Sequence, residues 1–139
     1  MDSKKHLSWL KLLETIAIDV APVRSSKIAA AIVIKNKLIS VGTNKYKSHP
    51  FQLKFSRNPE SIYLHAEVDA IKNALKKVDV EDLKRATLYV ARVKREKAFD
   101  RGWIWGNSRC CKGCSSAIVA FDIKNVYYTT DTYEEFKCL

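Results

Sequence analysis

At 139 residues, 47% hydrophobic and 29% charged, the chain has the size and balance of one globular domain, with no low-complexity tract, internal repeat or Pro/Gly/Ser-rich linker. The formal net charge of +10 favours anionic partners, whether nucleotides, nucleic acid or a membrane surface, yet basic residues lie in every segment, so solubility accounts for the same charge. The longest apolar run, 28–34, is too short to span a bilayer, and the opening Met1-Asp2-Ser3-Lys4-Lys5 leads into no apolar signal region, so the expectation is a cytoplasmic protein without a membrane partner.

In chain order, Leu7, Leu10, Leu12, Leu13, Ile16 and Ala17 recur at helical spacing, which predicts a helix over 4–20 that ends before Pro22. The Ile/Val/Ala-rich stretch 27–35 reads as a buried strand, and a turn at Asn36-Lys37 leads into a second strand over 38–42. Residues 43–63 form a long basic and aromatic loop. Val68, Ile71, Ala74 and Leu75 mark an amphipathic helix over 64–77, and 86–93 alternates as a strand. A second irregular basic segment, 94–109, carries Trp103 and Trp105; a helix follows over 111–121, a strand over 125–129, and a final short helix within 131–139. The early hairpin supplies antiparallel strands and the later strand–helix–strand unit a parallel pair, so the expected fold is α/β, a three-layer helix–sheet–helix sandwich with a mixed sheet, with residues 1–139 as one domain.

The chemistry concentrates at two predicted helix starts. His65-Ala66-Glu67 opens the second helix, and Cys111-Lys112-Gly113-Cys114 opens the third. Residues three apart share a helix face, so both thiols reach one ion. A helix N-terminus favours the thiolate form that zinc prefers. One His and two Cys leave a fourth position for water, which is the pattern of a catalytic zinc site rather than a structural one. Zinc makes water a nucleophile near neutral pH, and Glu67, two residues from His65, is placed to move that water's proton.

This order, H-A-E, a strand, then C-x-x-C opening a helix, resembles the cytidine deaminase superfamily. The run His65-Ala66-Glu67-Val68-Asp69-Ala70-Ile71 is similar to the H-A-E-x-N-A-I of its CMP/dCMP-type members, and Ile123-Lys124-Asn125-Val126-Tyr127-Tyr128 to the strand after their zinc helix. Over about 4–130 the resemblance implies a cytidine deaminase-like fold, Zn2+ held by His65, Cys111 and Cys114, and Glu67 as proton shuttle. It also implies substrate contacts from Asn44, which ends Gly42-Thr43-Asn44, and from Ala66; His49, in the loop before the zinc helix, is a further candidate. The implied activity is hydrolytic deamination of a small-molecule cytosine nucleotide to the uracil nucleotide, in a homo-oligomer, with phosphate held from among Lys45, Lys47, Lys54, Arg57, Arg92 and Arg109. The alternative is a deaminase that edits bases in single-stranded DNA or RNA, which the charge and the two basic aromatic loops suit. Two features depart from the family pattern: Cys110 stands where a proline usually precedes the first zinc cysteine, and the interval from Glu67 to Cys111 is long.

Other readings of single features stay open at this point. A thioredoxin-like C-x-x-C expects a later proline, whereas Pro22, Pro50 and Pro59 all lie upstream. Cys110, Cys138 or His49 would close the zinc site into a purely structural one. Asn44 is also a typical turn residue, and His49 a typical solvated loop residue. Trp103 and Trp105 either stack a base or form an edge hairpin packed on the core.

Overall fold

A computed structural model of the chain describes residues 2–19, 27–45, 65–95 and 103–139. Helix α1 (Asp2–Ile18) is followed by strands β1 (Lys27–Ile34) and β2 (Lys37–Thr43), helix α2 (Ala66–Ala74), and strands β3 (Thr87–Arg95) and β4 (Trp103–Gly106). Helix α3 (Lys112–Ala120) then leads to β5 (Asn125–Thr129) and β6 (Phe136–Cys138). The sheet runs β2-β1-β3-β5-β6, with β4 also on β3. All pairings are antiparallel except β3 with β5, which α3 connects to the β3–β4 arm. The mixed α/β sheet is therefore the expected one.

Helices cover both faces, which is why β1 is apolar along nearly its whole length. On one face Leu10, Leu13 and Ala17 of α1 pack on Ala29, Ala31, Val33, Tyr89 and Ala91. On the other, Val68 and Ile71 of α2 and Ala117 and Ile118 of α3 pack on Ala30, Ile32, Leu88, Val90 and Val126. Among the described residues no helix is long and apolar enough to cross a membrane.

Strand β3 is the spine. One edge is taken by β1; the other is shared, with β5 against Thr87 to Val90 and β4 against Arg92 to Arg95. Ser108 and Thr129 fill the junction with hydroxyls. Ser108 Oγ donates to the Val90 carbonyl (2.9 Å), Thr129 N donates to Ser108 Oγ (2.9 Å), and Thr129 Oγ1 donates to the Gly106 carbonyl (2.8 Å). Arg92 N, left behind where β5 ends, donates to Thr129 Oγ1 (3.1 Å).

Three local expectations are corrected. The hairpin turns on Lys35 and Asn36, both left-handed (φ 51° and 60°), so β2 begins at Lys37; a two-residue turn with positive φ at both positions matches the strands' own twist. The irregular segment before the cysteines contains β4, which pairs with β3 as an edge hairpin. The tail holds no helix; it adds β6 to the sheet, because Phe136 meets Tyr127 edge to face across the β5–β6 pair (6.0 Å between ring centroids).

Candidate active site

The first half of the site is set by how α2 lies on β2. His65 is the N-cap of α2 in extended backbone (φ −83°, ψ 154°), and its carbonyl accepts from Asp69 N (2.9 Å). Glu67 and Asp69 occupy the first turn, where the helix dipole favours acids. The helix is then tied to β2 residue by residue. Ser40 Oγ donates to the Ala70 carbonyl (2.7 Å), Asn73 Nδ2 to the Val41 carbonyl (2.9 Å), and Thr43 N to Asp69 Oδ2 (3.0 Å). Between these bonds sits Gly42, where any Cβ would overlap the backbone of Ala66 and Ala70. Ala66 is therefore buried against the strand end.

The second half is set by the Ser108–Thr129 junction, which anchors the segment entering α3. Cys111 is the N-cap of α3, and its Sγ accepts from Cys114 N (3.4 Å). Asn107 stiffens the approach, its Oδ1 accepting from Arg109 N (3.0 Å) while its own N donates to Asp131 Oδ1 (3.1 Å).

The two helix starts meet. His65 Nδ1 lies 3.3 Å from Cys114 Sγ and 3.4 Å from Cys111 Sγ, and the three donor atoms all fall within 4.8 Å of one another. Donors bound to a common tetrahedral zinc at ordinary Zn–N and Zn–S lengths stand roughly 3.5 Å apart, so the donor set and its spacing fit that ion. Cys114 is buried and Cys111 exposed. Their protons are shared unequally. The Cys114 thiol, hydrogen-bonded to Cys111, brings the latter down to about 4 against the opposing effect of burial, with the His65 ring assisting. The same bond, with burial, raises Cys114 well above an ordinary thiol. The hydrogen bond to Cys111 raises the His65 imidazole against its own burial.

Glu67 is 5% exposed, and burial pushes its carboxyl above the usual carboxylate range while the His65 charge opposes. Cys110 is buried with its thiol hydrogen-bonded to Glu67, and burial first, then the Glu67 charge, raises its pKa. Its side chain is thus directed at the carboxylate, and the cluster among the described residues with the donor set and spacing to hold a metal is His65, Cys111 and Cys114, without it. Cys138 sits exposed on β6.

Asn44 is buried at the end of β2, where its Oδ1 accepts from Ile28 N (2.9 Å) and its N donates to the Ile28 carbonyl (3.3 Å). It closes the β1–β2 ladder, as a turn residue does. Lys45, considered for phosphate, pairs with Asp69 (2.5 Å). His49, Lys47, Lys54 and Arg57 lie outside the described residues. The base-stacking role for the tryptophans is overturned. Trp105 is 1% exposed in the core on the α1 face, and Trp103 packs beside it under Lys27, whose Nζ lies 4.2 Å from the ring centroid. Asp69, Ser108 and Thr129 were not expected to shape the site; the bonds Thr43–Asp69 and Ser108–Thr129 join residues more than twenty positions apart, so no local pattern announces them.

Residues 3–130 match the family model of the cytidine and deoxycytidylate deaminase zinc-binding region. The fold is similar to the dCMP deaminase of cyanophage S-TIM5, with TM-score 0.56 and 19% identity over 95% of this chain and 85% of that one. A second S-TIM5 structure, in complex with dCMP and dUMP, gives 0.53 and 20% over 90% and 78%. The cytidine deaminase from Burkholderia pseudomallei gives 0.60 and 16% over 96% and 91%. No curated protein sequence matches the chain.

Proposed function

Because the chain belongs to the cytidine and deoxycytidylate deaminase family, we propose that it hydrolyses the exocyclic amine of a cytosine nucleotide of the dCMP type, giving the uracil nucleotide and ammonia. The observation that carries this reading is the convergence of His65 Nδ1, Cys111 Sγ and Cys114 Sγ at two helix starts with the buried Glu67 carboxyl in the first turn of one of them. His65, Cys111 and Cys114 hold the zinc, which when bound makes water a nucleophile near neutral pH. Glu67 takes a proton from the attacking water and delivers it to ring N3 as the C4–O bond forms, then carries the remaining hydroxyl proton to the amino group, which leaves as ammonia as the C4–N bond breaks. A carboxyl whose pKa is held up by burial is suited to both directions of that transfer. Cys110 keeps its proton and donates its hydrogen bond to the Glu67 carboxylate, which orients it.

The substrate class is supported by the likeness to the S-TIM5 enzyme that holds dCMP and dUMP. Asn44, fixed at the end of β2, contacts the sugar through the part of its carboxamide turned from Ile28, and the backbone of Ala66 faces the base. Arg92, whose Nε is buried without a hydrogen-bond partner among the described residues, stands beside the segment entering the cysteines as a phosphate ligand.

The test is ammonia release from dCMP, CMP, deoxycytidine, dCTP and single-stranded oligonucleotides by the zinc-loaded protein. The best kcat/KM should fall on dCMP. Preference for an oligonucleotide overturns the substrate class, and no release from any of them overturns the activity.

A further inference from the structure

Asp69 is 2% exposed, yet its carboxylate has three partners. Oδ2 accepts from Thr43 N (3.0 Å) and from Lys45 Nζ (2.5 Å), and Oδ1 lies 3.5 Å from Lys72 Nζ. The Lys45 ammonium turns back as well onto the Thr43 carbonyl (3.4 Å) and hydroxyl (3.2 Å). Both chain neighbours of Asn44 are thus fastened to one buried carboxylate, and that carboxylate belongs to the first turn of the helix that carries His65 and Glu67. Asn44 has its own oxygen on β1. The segment 43–45 is therefore located from two directions, by β1 through Asn44 and by α2 through Asp69.

We propose that Asp69 is a positioning residue for nucleotide binding: through Thr43 and Lys45 it fixes Asn44 relative to the start of α2, and so sets affinity for the sugar. This rests on the reading of Asn44 as a sugar contact. The charge on Asp69 is essential to the device. A carboxamide whose oxygen stands where Oδ2 does still accepts from Thr43 N and Lys45 Nζ, but without the charge, and its NH2 in place of Oδ1 meets the Lys72 ammonium donor against donor. Asp69→Asn thus weakens the charged Lys45 tether while leaving the Thr43 bond in place.

The experiment uses the zinc-loaded enzyme with the best cytosine nucleotide, and calorimetric binding of the uracil nucleotide product. Asp69→Asn and Lys45→Met should each raise KM, and the product Kd, about tenfold, the usual worth of one charge-assisted bond. Zinc content and kcat should stay near wild type. The double variant should be no worse than either single, and Lys45→Arg should restore the wild-type KM. Unchanged KM and product Kd in both single variants would overturn the assignment; so would a loss of zinc and kcat at constant KM, which would make Asp69 a brace of the helix alone. Should Asp69→Asn fail to fold, Lys45→Met and its Lys45→Arg counterpart decide. A wild-type protein that releases no ammonia and binds no uracil nucleotide defeats the proposed function, and this inference with it. An active wild type with indifferent variants defeats this inference only.

Discussion

At the scale of single residues, the proposed function divides ligation and proton transfer between neighbours two positions apart, and the division predicts two different losses. Glu67→Ala should keep zinc and fold while turnover falls about 10²–10⁴-fold, the usual contribution of a positioned acid/base group. His65→Ala should instead lose zinc occupancy and thermal stability together, since ligation is part of the folding free energy. Metal analysis beside ammonia release separates the cases, and near-normal turnover in Glu67→Ala would remove that residue from the mechanism. The proton distribution gives a further expectation. Cys111 is already ionised at pH 7, with its pKa near 4, whereas Cys114 and His65 hold their protons more tightly than free side chains do. Zinc must displace those protons, so loading the metal-free protein at pH 7 should release about one to two protons per zinc, and zinc should be lost as pH falls through the raised His65 range. A weakly buffered titration measures this, and zinc uptake without acidification would contradict the geometry. Cys111 and Cys114 are legible in the sequence because a spacing of three at a helix start translates directly into a shared face, and His65 and Glu67 because their H-A-E resembles the deaminase motif. Asp69 is not legible as a tether: nothing local shows that its partners, Thr43 and Lys45, arrive from a strand end far back in the chain.

At the scale of elements, the same contrast holds. The strand Asn125–Thr129 and helix α1 are readable from their own residues, and so is the β1–β2 hairpin, because α1 repeats its apolar residues at helical spacing and β1 is one unbroken apolar run ending in a turn. Strand β6 is not, since three residues carry too little pattern and the strand it joins decides it; β4 is readable only in part, its two tryptophans suiting an edge hairpin and a base-stacking loop alike. The long interval before the cysteines is absorbed by the β3–β4 arm, which returns the chain to the Ser108–Thr129 junction and so to the start of α3. Gly42 shows how tightly one element fixes another. Any side chain there must push α2 off β2, and with it His65 and Glu67. Gly42→Ala should therefore cost about 1–3 kcal/mol by overpacking and reduce kcat/KM further than that stability loss explains. Urea unfolding alongside kinetics checks it. Full activity in Gly42→Ala would mean that the α2–β2 contact does not place the site.

At the scale of the whole molecule, the net charge of +10 invites a polyanion, but the two tryptophans considered for stacking its bases lie on the α1 face of the sheet. A basic surface that binds single strands by stacking needs aromatic faces open to bases, each worth about 1–3 kcal/mol. Trp105 is buried on the α1 face and Trp103 packs beside it under Lys27, on the opposite side of the sheet from α2 and α3, whose starts carry the metal donors. Replacing both with Ala should accordingly remove core contacts, at about 3–5 kcal/mol per buried tryptophan at the upper end, and lower the unfolding midpoint far more than kcat/KM of the protein that remains folded. Salt should tell the same story. A protein that neutralises several phosphates of a single strand loses affinity at about 0.7 log units per contact for each tenfold rise in salt, whereas a mononucleotide engages one group. The expected result is a shallow salt dependence of kcat/KM on the best mononucleotide, with oligonucleotide binding that is weak and abolished near physiological salt. Tight single-strand binding under those conditions, with a slope of several units and its loss in the double tryptophan variant, would reverse the substrate assignment, because it would require the two rings to leave the core and meet bases.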